Sequence, residues 1–133
     1  MSLVVDASVL VEVLLNSPRG RRARSVLIAS EGQLHIPELA VVESTSALRG
    51  LVRGGQVSQV RAEQALSALR VFPAQRWGMD ALVSRAWALR EALTAYDAIY
   101  IALAEGLGAT VVTMDERLAK GAGTVAHCPI LVA

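Results

Sequence analysis

The chain has 133 residues, 53% of them hydrophobic, 19% charged and 4% aromatic, with a formal net charge of +1. That length suits one compact domain over residues 1–133 and is too short for two. No apolar run reaches a bilayer span, because Glu12, Glu43, Asp97 and glycine pairs interrupt each one, and the lone Cys128 excludes an intramolecular disulfide.

Short β-branched runs alternate with longer helical patterns along the chain. Residues 2–5 read as a strand, followed by a helix over 8–16 with Ser8 as its cap. A second helix is expected over 20–30, beyond Pro18, and a second strand over 33–36, ended by Pro37. A long apolar helix from Glu38 to Arg53 stops at Gly54-Gly55, and Ser58 caps the next, over 59–70. Val71-Phe72-Pro73 is a short strand or turn, and a helix covers 80–92. Thr94 caps a helix running to Glu105 that Gly106 and Gly108 end; strands follow at Thr110–Thr113 and, interrupted by Pro129, within Val125–Val132. Helices between strands mean crossovers, and so a mostly parallel sheet covered on both faces.

Four carboxylates lie within or at the end of apolar runs: Asp6 after Leu3-Val4-Val5, Glu43 after Leu39-Ala40-Val41-Val42, Asp97 within Ala95 to Ile101, and Asp115 after Val111-Val112-Thr113-Met114. Charged groups seldom occupy such settings without a partner. No Lys or Arg lies in those runs, so a bound cation is the economical compensation, and carboxylate oxygens without Cys or His select Mg²⁺ or Mn²⁺. Each acid also has a plainer reading. Asp6 can cap the first helix, Asp97 with Thr94 forms a variant capping box, Asp115 can start a helix before Glu116, and Glu43 can pair with Arg49. The plain readings must hold four times independently, whereas one metal site explains the set.

The remaining chemistry-bearing residues offer less. His35 and His127 lack zinc-ligand spacing, Ser44 and Ser46 lack a nucleophile elbow, and Gly106-Leu107-Gly108 and Gly121-Ala122-Gly123 fail the phosphate-loop patterns. Trp77, Trp87, Tyr96 and Tyr100 form no stacking motif and read as core or interface. A receiver domain would carry adjacent acids after the first strand and a Lys at a later strand end, whereas the only Lys here is Lys120. Basic residues cluster at Arg19, Arg21, Arg22 and Arg24, and again at Arg49, Arg53 and Arg61. They can track a phosphate backbone or simply form solvated helix faces. A hydrophobic content this high in a small chain implies apolar surface reserved for partners. No basic head precedes an apolar core and cleavage site at the N-terminus, so a cytoplasmic protein with no membrane role is expected.

The segments Val5-Asp6-Ala7-Ser8-Val9-Leu10, Pro37-Glu38-Leu39-Ala40-Val41-Val42-Glu43, Leu93-Thr94-Ala95-Tyr96-Asp97-Ala98-Ile99-Tyr100-Ile101-Ala102-Leu103-Ala104 and Val112-Thr113-Met114-Asp115-Glu116-Arg117-Leu118 resemble the PIN-domain ribonucleases. The closest likeness is to the VapC toxins of toxin-antitoxin pairs. The resemblance implies a PIN-like three-layer α/β sandwich, with a central sheet of about five mostly parallel strands flanked by helices. It also implies Mg²⁺- or Mn²⁺-dependent endoribonuclease activity on structured RNA such as tRNA or rRNA, a homodimer, and a hetero-oligomer with a cognate VapB-like antitoxin that silences it. Carried over by position, the catalytic set is Asp6, Glu43, Asp97 and Asp115, with Ser8 as a polar helper. Asp6 and Asp97 would ligate metal directly, Asp115 directly or through water and Glu43 through water, with Ser8 and Thr113 giving hydrogen bonds behind them. Dimerisation is expected around the helices between Val57 and Leu93, and an antitoxin groove near Val9, Val13 and Leu39. The alternative is a PIN-like protein without toxin activity, either a structure-specific nuclease or a non-catalytic binding module.

Overall fold

The computed structural model describes all of residues 1–133. Five strands, β1 (Leu3–Val5), β2 (Leu34–Pro37), β3 (Gln75–Trp77), β4 (Thr110–Thr113) and β5 (Ile130–Val132), form one sheet in the order β3-β2-β1-β4-β5. Every neighbouring pair is parallel, with Val5 of β1 in register with Val112 of β4. Leu3, Val4 and Val5 are all fully buried. Successive strand side chains point to opposite faces, so both faces of the sheet centre are covered.

The covering elements are α1 (Ala7–Leu15), α2 (Pro18–Ala29), α3 (Leu39–Arg53), α4 (Gln59–Arg70), α5 (Val83–Ala88), α6 (Ala95–Leu107) and α7 (Glu116–Ala122). Helices α1 to α4 pack on one another, while α6 lies against β1, β2 and β4. Helix α6 buries every side chain from Ala98 to Ala104, and Tyr100 is the largest fully buried residue. No helix is long and apolar enough to cross a membrane. The expected α/β architecture with a five-stranded sheet is borne out.

Local differences from the sequence expectation have identifiable causes. Ser8 does not cap α1: the helix begins at Ala7, with Asp6 in the capping position, and Ser8 lies inside its first turn. Helix α2 starts two residues earlier than expected, because Ser17 caps it through the Gly20 amide and Pro18 fits its first turn. The third strand is Gln75–Trp77 rather than Val71–Pro73. The Val71 and Phe72 amides are still bonded to the Ala68 and Leu69 carbonyls at the end of α4. As an edge strand with exposed Gln75 and Arg76, β3 carries no apolar pattern to betray it. The helix expected over 80–92 is broken into a 3₁₀ turn, Asp80–Leu82, then α5, then turns to Leu93. Gly106 lies within α6, which ends at Gly108, in the left-handed conformation at φ 63° that glycine tolerates best.

The loop before β5 is held from the helices. Arg85 of α5 donates from Nε to Glu105 Oε1 at 2.7 Å and from Nη2 to the Val125 carbonyl at 3.1 Å, while Glu105 Oε2 accepts the His127 amide at 2.6 Å. This anchoring explains why only the residues after Pro129 form strand.

The α1–α2 hairpin depends on a glycine. A Cβ on Gly20 would lie 1.9 Å from the Glu12 carbonyl oxygen, so the two helix backbones meet with no room for a methyl group. Gly20→Ala should destabilise the fold by about 1–3 kcal/mol, since overpacked contacts cost that much. Thermal melts check this: a melting temperature equal to wild type would mean that the helices can separate without cost.

Candidate functional site

The chain builds outward from β1 through β2 to β3, then returns to the other side of β1 for β4 and β5. The direction of growth therefore switches between β1 and β4, and ligands of open α/β sheets bind beyond the carboxyl ends of strands at such a switch. Asp6 directly follows β1, and Asp115 lies two residues past the end of β4. Glu43, Ala47, Gly50 and Leu51 recur at helical spacing on one face of α3, and Asp97 is in the first turn of α6. All of these line one cleft of about 890 Å³, together with Ser8, Glu12, Arg19, Glu116 and Arg117. The four acids singled out from sequence are brought together, and Ser8 with them.

Asp6 is 6% exposed and makes no side-chain capping bond to α1. Its Oδ2 instead accepts from the Ser8 hydroxyl at 2.7 Å and the Thr113 hydroxyl at 2.8 Å. Oδ1 receives no protein donor and remains available to the cleft. Ser8 in turn accepts the Met114 amide at 2.9 Å, and Thr113 accepts the Asp115 amide at 2.9 Å. These two hydroxyls link the end of β1 to the loop after β4, fixing Asp6 and Asp115 relative to each other.

Asp115 does cap α7: its Oδ1 accepts the Arg117 and Leu118 amides at 2.9 and 3.3 Å. Capping uses one oxygen and leaves the other without a protein donor. Asp97 is half of a capping box only, since its amide is accepted by Thr94 Oγ1 at 3.2 Å and no reciprocal bond returns to the Thr94 amide. Glu43 does not pair with Arg49. Its Oε1 accepts the Tyr100 hydroxyl at 2.6 Å.

No Arg, Lys or His forms an ion pair with any of the four acids. Arg117, in the same cleft, offsets part of this charge at longer range by opposing the rise of the Asp97 pKa, and protonation states respond. Burial raises the pKa of Asp97, reinforced by the carboxylates of Asp6 and Asp115. Burial also raises Glu43, opposed by the Tyr100 hydrogen bond and reinforced by Asp6 and Asp97. The Tyr100 hydroxyl, buried against Glu43, is pushed far above its ordinary range and stays a donor. No three of these side chains converge tightly enough to make a ready-made cage of three ligands. The donor set still fits a small hard cation: its oxygens are all carboxylate, no His or Cys lines the cleft, and Mg²⁺ commonly takes only one or two carboxylates and keeps its waters.

Two participants escaped sequence reasoning. Tyr100 reads as core, and it is, yet its hydroxyl aims at Glu43; the available signal was its position one turn after Asp97 on the same helix. Glu12 lines the cleft, where it accepts the Ser17 hydroxyl and lies 3.9 Å from Arg19. His35 is buried in β2, where burial lowers its pKa and its Nδ1 accepts Trp77 Nε1–H at 3.0 Å, away from the acids. Val9 is fully buried, so it cannot line an antitoxin groove. Val13 instead lines a separate apolar cleft of about 1010 Å³ with Ile28, Val71 and Phe72.

Residues 3–123 match the family model described as PIN domain. The chain is 39% identical to ribonuclease VapC9 of Mycobacterium tuberculosis, over 98% of this chain and 97% of that one. Among solved structures it is similar to PAE2754 from Pyrobaculum aerophilum, with a TM-score of 0.70 and 25% identity over 99% of this chain and 84% of the other. It shares its fold with a chain of VapBC2 from Rickettsia felis, solved bound to a DNA fragment from its promoter, with a TM-score of 0.70 at 15% identity, covering 100% of this chain and 99% of that one.

Clustered carboxylates without a cation oppose folding. A carboxyl whose pKa is raised in the fold contributes stability below its unfolded pKa, and that stability is lost as pH rises through the folded value. Asp97→Asn should therefore raise the melting temperature at pH 7.5 in EDTA, with the difference from wild type shrinking toward pH 4. Equal melting temperatures at pH 7.5 would show that Asp97 serves only as a helix-start residue.

Proposed function

This chain belongs to the PIN-domain family, among its VapC ribonucleases, and on that premise we propose that it is a Mg²⁺- or Mn²⁺-dependent endoribonuclease whose cation is held by Asp6, Glu43, Asp97 and Asp115. The observation that carries the reading is that these four carboxylates line one cleft with no cationic side chain paired to any of them.

A bound divalent cation supplies an acidified water as nucleophile and neutralises charge on the departing oxygen. The protein's part is positioning. Asp6, fixed through Oδ2 by Ser8 and Thr113, would hold the cation through Oδ1. Asp97, in the first turn of α6, would hold it as well, and Asp115 would use the oxygen that capping leaves free. Tyr100 holds Glu43 through Oε1, so Oε2 orients the attacking water and takes its proton, a role that the raised pKa of Glu43 favours. Neither His35 nor His127 lines the cleft, which leaves no paired histidines there. Hydrolysis by water, leaving a 5′-phosphate, is the route that membership of the PIN family implies.

In the cell we propose a toxin that cuts structured RNA such as tRNA or rRNA. It acts as a single domain over residues 1–133 in the cytoplasm, an address that the lone Cys128 supports. A cognate VapB-like antitoxin silences it by placing a basic side chain among the acids. Exposed Val83 and Trp87, within the stretch from Val57 to Leu93, support a homodimer.

Asp6→Asn and Asp97→Asn should each lower RNA cleavage more than about 100-fold, beyond the 10–100-fold typical of groups that only support a ligand, while Thr113→Val falls within that range. Gel assays on total tRNA and rRNA with Mg²⁺ check this, with EDTA abolishing wild-type cleavage. Expression of the intact gene should arrest growth, and co-expression of the cognate antitoxin should relieve the arrest. Cleavage unchanged in both Asn variants or in EDTA would overturn the reading.

A further inference from the structure

The acidic cleft also holds two guanidinium groups that the metal chemistry does not use. Arg19, at the start of α2, and Arg117, in the first turn of α7, both line it alongside the carboxylates. A cation placed there only to balance charge would pair with the acids. Arg117 forms no ion pair, its charge reaching Asp97 only at longer range, and Arg19 makes one loose contact with Glu12 at 3.9 Å, its side chain still 56% exposed. Two other arginines near the hairpin are committed elsewhere: Arg21 donates to the Asn16 carbonyl and Arg61 to the Leu15 carbonyl. The α3 face of the same cleft carries Ala47 and Gly50, and a Cβ on Gly50 would meet nothing within 4 Å. That face is low enough for a chain to lie across it.

We propose that Arg19 and Arg117 are positioning residues that grip RNA phosphates on either side of the scissile one, so that the strand crosses the acids in a fixed register. The inference rests on the ribonuclease reading and deepens it. An RNA backbone repelled by four acids needs cationic contacts beside the cleavage point, and a planar guanidinium with its donors unspent is suited to phosphate. Neither residue touches the reacting atoms, so their contribution is to binding and alignment.

The test measures anisotropy of a fluorescein-labelled, mixed-sequence, single-stranded 12-nucleotide RNA against the full chain in EDTA, across a salt series. Arg19→Ala and Arg117→Ala should each weaken binding several-fold and reduce the log–log salt slope by about 0.7, the value for one phosphate contact on a single strand. Arg90→Ala, which removes an equal charge outside the cleft where Arg90 stacks on Trp87, should leave the slope unchanged. Both residues are exposed, so melting temperatures should match wild type, and cleavage with Mg²⁺ should show a raised KM with kcat little altered. Wild-type binding and cleavage with unchanged slopes in both variants would overturn the proposal and leave the ribonuclease reading intact. Wild type that neither binds nor cleaves RNA would overturn both. Variants that keep RNA affinity but lose the co-expressed antitoxin would assign the two arginines to that partner instead.

Discussion

Negative charge without an ion-pair partner at the switch point of the sheet is the constraint on which the rest of the structure depends. Four carboxylates face one cleft, burial and mutual repulsion raise two of them, and no Arg, Lys or His pairs with any. Such an arrangement costs stability unless something positive enters, so the fold is built to hold the acids in place against repulsion. Tyr100 restrains Glu43, Ser8 and Thr113 restrain Asp6, and the amides of α7 restrain Asp115. Each restraint uses one oxygen of its carboxylate and leaves the other available.

The parallel sheet explains why those restraints can be so economical. Val5 and Val112 stand in register, and the ladder continues one step further through the Asp6 amide to the Val112 carbonyl at 3.0 Å. The acid after β1 and the hydroxyl ending β4 are thereby neighbours before any side-chain bond forms. Thr113 is fully buried, so its hydroxyl has to find partners, and it finds Asp6 and the Asp115 amide. A buried polar group at the end of a central strand becomes the hinge pin of the site.

Much of this was legible in the sequence, for a physical reason. Charges inside apolar runs are expensive, so Asp6, Glu43, Asp97 and Asp115 stood out against a background that could not have placed them casually. The central strands were legible because both faces are buried and β-branched or apolar residues dominate them, as in Leu3–Val5 and Thr110–Thr113. The edge strand Gln75–Trp77 was not, because its residues face solvent and its strand state is imposed by pairing with His35–Pro37. Ser8 lines the cleft and does not cap α1, since local spacing cannot distinguish a hydroxyl that starts a helix from one that reaches across to the Met114 amide, 106 residues away. The roles of Tyr100 and Arg117 depend on which helix faces meet, and that is settled only by tertiary packing.

Whether the four acids are one cation site is decided by anomalous diffraction from crystals soaked in Mn²⁺. A peak is expected in the cleft in contact with Asp6 and Asp97, absent from crystals of Asp6→Asn treated in the same way. Mn²⁺ bound elsewhere on the protein, with the cleft empty in wild type, would contradict the single-site reading.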